Sequence, residues 1–89
     1  MATATTEVTY TIDMEIIPEE TNIDHEMKSD DQEHTLLLIE EWIVDSLREW
    51  EIEVYEVTRE RADGNCFTFE AWDESSDRLS WVTVTTDEF

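Results

Sequence analysis

His25 sits between Asp24 and Glu26, and His34 follows Glu33, so imidazole and carboxylate are neighbours twice in a chain of 89 residues. Those are donor types that a divalent cation accepts. Their spacing matches no established ligand pattern: there is no His-Glu-x-x-His helix, and the acidic stretch lacks the central Gly of a calcium loop. With 25 Asp and Glu, carboxylates fall beside a His by chance. Loose cation condensation is therefore expected and a specific metal site is not. Paired acids for glycoside-type acid–base chemistry are undiagnostic for the same reason. Ser29, Ser46, Ser75, Ser76 and Ser80 lack the elbow context of a nucleophile. Cys66, beside Phe67, reads as a small apolar filler. One Gly cannot build a phosphate-cradling loop. The sequence points away from an enzyme, and no cofactor is expected.

The group with chemical consequence is the charge itself. Twenty-five acidic residues against five basic ones give a net charge of −20. Such a chain repels nucleic acid and anionic membrane unless a basic patch intervenes. The basic residues are Lys28, Arg48, Arg59, Arg61 and Arg78, and Glu60 separates the only close pair. Direct nucleic-acid binding is therefore not expected, whereas docking onto a basic protein surface is.

A compact domain of this length has a radius of gyration of about 12 Å, or roughly 31 Å across as a sphere. Duplex DNA of that length carries about 18 phosphate charges, close to the charge of this chain. Small acidic inhibitors of nucleic-acid enzymes, among them anti-restriction and anti-CRISPR proteins, share this charge and size as a class, without a shared motif. The first functional expectation is thus a non-enzymatic acidic binding module that imitates nucleic acid and blocks a DNA- or RNA-binding protein. The alternative is a salt-adapted, halophilic structural or adaptor domain, in which carboxylates hold water and cations. One Lys against four Arg fits that alternative, whereas sixteen Glu against nine Asp does not favour it.

These residues must be positioned by a fold, and the apolar residues say that there is one. Low hydropathy with high net charge is the mark of disorder, but four Trp, three Phe and two Tyr fall in periodic runs. Val8, Tyr10, Ile12, Met14 and Ile16 alternate with polar residues, which predicts a half-buried strand ended by Pro18. Residues 18–32 read as a long acidic loop, and residues 1–6 as a frayed lead-in. Ser29 or Asp30 is the expected N-cap, with Gln32 or Glu33 three residues on as its reciprocal partner. The helix is expected from about Asp31 to about Trp50.

On that helix Leu36, Ile39, Ile43, Leu47 and Trp50 share one stripe, the predicted core face. Glu41, Asp45 and Glu49 run down the opposite side. Leu38 and Trp42 fall with them, one turn apart, where a helix on a single sheet has no evident use for them. They are the candidate apolar anchor of a partner-binding surface, or of a homodimer contact. Asp30, Asp31 and Glu33 extend the acidic line at the helix start.

Three more strands are expected: Glu51–Arg59, with a phase shift between Val54 and Tyr55; Cys66–Trp72; and Leu79–Thr86. Turns at 62–65 and 73–77 join them. The predicted fold is a single α+β domain, β-α-β-β-β, with one helix on a four-stranded, mostly antiparallel sheet. A single Cys allows no internal disulfide, and no basic segment followed by an apolar run suggests a leader. The longest apolar run, residues 36–39, is far short of the ~20 residues of a membrane span. A cytoplasmic protein with no membrane contact is expected.

Overall fold

The computed structural model describes residues 7–63 and 66–86. They form β1 (Val8–Ile16), β2 (Thr21–Ser29), α1 (Gln32–Glu49), β3 (Glu56–Asp63), β4 (Cys66–Trp72) and β5 (Arg78–Thr86). The sheet has five strands in the order β2-β1-β5-β4-β3, every neighbouring pair antiparallel. The α+β class and the single helix are as the sequence predicts. The strand count is five, not four.

The added strand is β2, which occupies residues 21–29 of the expected acidic loop. Pro18 does end β1, and residues 17–20 turn the chain back on itself, with the Glu20 N–H donating to the Ile17 carbonyl at 3.2 Å. Thr21, Ile23, His25, Met27 and Ser29 then lie opposite Ile16, Met14, Ile12, Tyr10 and Val8. Inward positions of β2 thus include two apolar residues, and none of the strand is fully buried. This is how an edge strand reads in sequence: one ladder of hydrogen bonds and a weakly apolar inner face.

One layer of core lies between sheet and helix. Tyr10, Ile12, Met14 and Ile16 from β1, Phe67, Phe69 and Ala71 from β4, and Val82 and Val84 from β5 meet Leu36, Ile39, Ile43 and Leu47. Trp50, expected in the helical stripe, is 42% exposed. The helix ends at Glu49, so Trp50 is the C-cap (φ −93°) and no longer follows the 100° step. Glu51 comes next in the left-handed region (φ 62°). Its N–H donates to the Arg48 carbonyl, and that of Ile52 to the Leu47 carbonyl, both at 2.9 Å. That is a Schellman closure with Glu where Gly is usual.

The closure also explains the phase shift at Val54–Tyr55. Residues 51–55 are connection rather than strand, with Ile52 and Val54 packed on the core. The ladder begins at Glu56, so the expected strand over Glu51–Arg59 is moved by five residues at its start. Between β4 and β5 the register slips by one, Ala71 facing Ser80 while Trp72 faces Arg78. Leu79 is the extra residue of this bulge, and it is buried next to Ser80. The turn predicted at 62–65 includes Gly64 and Asn65, and the lead-in is residues 1–6; both lie outside the described residues.

One sheet with one helix is a slab rather than a ball. The Cα radius of gyration is 14.1 Å and the longest extent 53 Å, against about 12 Å and 31 Å for the compact sphere. Duplex of that extent carries about 31 phosphates, so the match of total charge to duplex length does not hold. What imitation remains is local, face by face. No helix among the described residues is long and apolar enough to cross a membrane.

Candidate functional site

The candidates on and beside the helix differ in what they contact. Asp31 is the N-cap rather than Ser29 or Asp30: its Oδ1 accepts from the His34 N–H at 3.1 Å, and its carbonyl accepts from the buried Thr35 hydroxyl at 2.6 Å. The residue three positions on is therefore His34, so the reciprocal pairing expected of Gln32 or Glu33 is absent. Ser29 Oγ accepts from the Asp31 N–H at 3.1 Å and fixes the lead-in instead. Asp31→Ala should lower stability by about 1 kcal/mol, the worth of an N-cap. Asp30→Ala, at an exposed site with no such bond, should leave the urea midpoint unchanged.

Farther along, Glu41, Asp45 and Glu49 are exposed, and Arg48 interrupts their line by pairing with Asp45 at 3.4 Å. Trp42 is half-buried against the core. Its ring stacks on His25 of β2, centroids 5.1 Å apart and planes 10° from parallel. The tryptophan without an evident use thus has one inside the chain, and it is the unpredicted strand that supplies it. Leu38 remains 39% exposed.

The larger acidic surface is the sheet face away from the helix. Buried side chains alternate with exposed ones along β1 and with half-buried ones along β4, and the alternation continues in β5 beyond Ser80. Among the described residues no second helix or sheet packs on the outer set. The strand order brings the outer residues into rows. Glu26, Thr11, Thr85 and Cys66 lie side by side, then Asp24, Asp13, Thr83, Thr68 and Glu60, then Asn22, Glu15, Trp81, Glu70 and Thr58. Asp13 stands directly opposite Asp24, with Glu26 and Glu15 as the diagonal neighbours. Like charges so placed destabilise a sheet. The ion pairs among the described residues, Arg48–Asp45 and Arg78–Glu70, touch none of these four.

Toward β3 the same face becomes aromatic. Arg78 lies over Trp81, 4.8 Å from the ring centroid, and bonds Glu70 at 3.0 Å. The Trp72 indole N–H donates to the Thr58 hydroxyl at 3.0 Å. Alternation signalled that these side chains point out, but the sequence did not place β2 beside β1 or β1 beside β5. Without that order, Asp13 and Asp24 are merely two of many acids. No group of three or more His, Cys, Asp or Glu among the described residues is arranged to hold a metal ion. Set against family models, curated proteins and solved structures, the chain matches none of them.

Proposed function

We propose that this protein is a non-enzymatic acidic binding module that occupies the basic surface of a nucleic-acid-binding protein in place of its nucleic acid. The observation that carries the reading is the sheet face away from the helix, where Asp13 stands exposed against Asp24 with the exposed Glu15 and Glu26 beside them. Directly opposed like charges are destabilising by something on the order of the 0.2–1 kcal/mol that cross-strand pairs are worth. A basic partner relieves that repulsion when it docks. The carboxylates stand on hydrogen-bonded strands about 4.8 Å apart, so little ordering entropy is lost on binding. Long-range attraction of opposite fields also speeds encounter. Inhibition of a defence nuclease, restriction or CRISPR, is the form of this activity that a small domain with a local row of carboxylates on a rigid sheet suits.

A second reading keeps one specific support. Acidic residues also line the helix (Glu41, Asp45, Glu49) and the connections (Glu53, Asp73, Glu74), a distribution suited to a salt-adapted structural or adaptor domain. Homodimerisation through Leu38 and Trp42 would have to work with a Trp42 ring already stacked on His25.

The test is capture of proteins on the immobilised chain at about 0.15 M KCl, followed by elution with duplex DNA. The expected eluate is enriched in DNA- or RNA-binding proteins. It should be lost when Asp13, Glu15, Asp24 and Glu26 are replaced by their amides. Retention of nothing that DNA displaces would leave the salt-adapted domain as the better reading.

A further inference from the structure

We propose that Tyr55, at the corner where the connection enters β3, is the platform for an arginine side chain of the docking partner. This rests on the acidic-module reading and names the chemistry at one edge of its surface. Tyr55 is 71% exposed, yet it is not on a loose loop. Its N–H donates to the Trp72 carbonyl at 2.9 Å, which ties it to the sheet.

Two hollows share Tyr55 in their walls. One, about 390 Å³, is bounded by Glu53, Asp73 and Glu74. The other, about 300 Å³, is bounded by Glu56, Trp72 and Asp73. Asp73 Oδ1 accepts from the N–H groups of Ser75 (2.8 Å) and Asp77 (2.9 Å), which holds that carboxylate in place. Among the described residues no Lys or Arg lines either hollow.

The chain itself shows which group such a setting accepts. On the same sheet, an aromatic ring and a carboxylate, Trp81 and Glu70, hold the Arg78 guanidinium by stacking and by an ion pair. At Tyr55 the aromatic ring and the carboxylates recur with no Lys or Arg among the described residues that line the hollows. A planar guanidinium stacks on a ring and forks to carboxylates at once, whereas an ammonium offers a point charge without a stacking plane. Charge decides the occupant further. A second copy brings its own −20, and nucleic acid is repelled, which leaves a basic protein segment.

The experiment titrates nona-arginine and nona-lysine into the full chain at about 0.15 M KCl, read by calorimetry. Nona-arginine should bind about fivefold more tightly, the scale of one exposed cation–π contact. Tyr55→Ala and Tyr55→Leu should erase that preference without moving the thermal midpoint, and Tyr55→Phe should keep it. Glu56→Gln should weaken nona-arginine more than Glu41→Gln, which removes the same charge from the helix. Equal affinities for the two peptides, or a preference that survives loss of the ring, would overturn the Tyr55 site and leave the acidic module standing. Binding of neither peptide would overturn both.

Discussion

Trp42→Ala should destabilise the protein by about 2–3 kcal/mol and release β2 ahead of the rest of the sheet. Fully buried Trp→Ala changes cost about 3–5 kcal/mol. Trp42 is only half-buried, but it packs against the core and stacks on His25. Strand β2 has few other holds: its ladder to β1, and the half-buried Ile23 and Met27. Urea unfolding should show the loss, and hydrogen exchange should place it, with amides of residues 21–29 losing protection first. Leu38→Ala, on the same helix flank but without the stack, should stay within about 0.5 kcal/mol of the parent. Uniform loss of protection along the chain would mean that Trp42 serves the whole core and not the edge strand. Trp42→Ala is therefore a poor probe of partner binding, and Leu38→Ala a clean one.

The second large effect is salt. Going from about 0.01 M to about 1 M KCl shortens the screening length from about 30 Å to about 3 Å. Repulsion across the acidic sheet face and along the helix then fades. If the opposed and diagonal acidic neighbours together cost about 2 kcal/mol at low salt, the unfolding midpoint should rise by about 10 °C, since 1 kcal/mol moves a domain of this size by about 4–8 °C. Asp13→Asn combined with Asp24→Asn should raise the low-salt midpoint and flatten the slope. Thermal unfolding with size-exclusion on the same samples checks both. A cooperative fold near physiological salt would favour the acidic face as a working surface. Folding only in molar salt would favour adaptation to a saline interior.

Much of the fold was readable where burial is one-sided and complete. The stripe of Leu36, Ile39, Ile43 and Leu47 and the alternations of β1 and β4 each follow from one face meeting the core. Strand β2 was not readable because its inner row holds His25 between Ile23 and Met27, and its outer row is Asn22, Asp24, Glu26 and Lys28. An edge strand needs no more apolar surface than that, so composition made it look like a loop. The clue lay elsewhere, in Trp42: an aromatic ring off the core stripe implied a neighbour on that flank. The candidate surface was legible by residue type and not by position. Acids are everywhere in the chain, and only strand order decides that Asp13 meets Asp24. Tyr55 was hidden by its placement in an apparent strand, before the Schellman closure at Glu51 showed those residues to be connection.

One inner ladder of the sheet joins β1 to the central strand β5, Tyr10–Ile16 pairing with Ser80–Thr86. During synthesis, β1 has β2 on one side almost at once, but its other side stays open until Arg78–Thr86 leaves the ribosome. At about 5–20 residues per second, the nascent chain spends several seconds with Tyr10, Ile12, Met14 and Ile16 lacking both that neighbour and the β4–β5 half of the core. Other proteins with such late-closing sheets are exposed to aggregation in that interval. Here the waiting strands carry Asp13 and Glu15 on β1 and Asp24 and Glu26 on β2, and nascent chains on neighbouring ribosomes repel one another. The same carboxylates that strain the finished sheet keep its unfinished edge from pairing with the wrong strand.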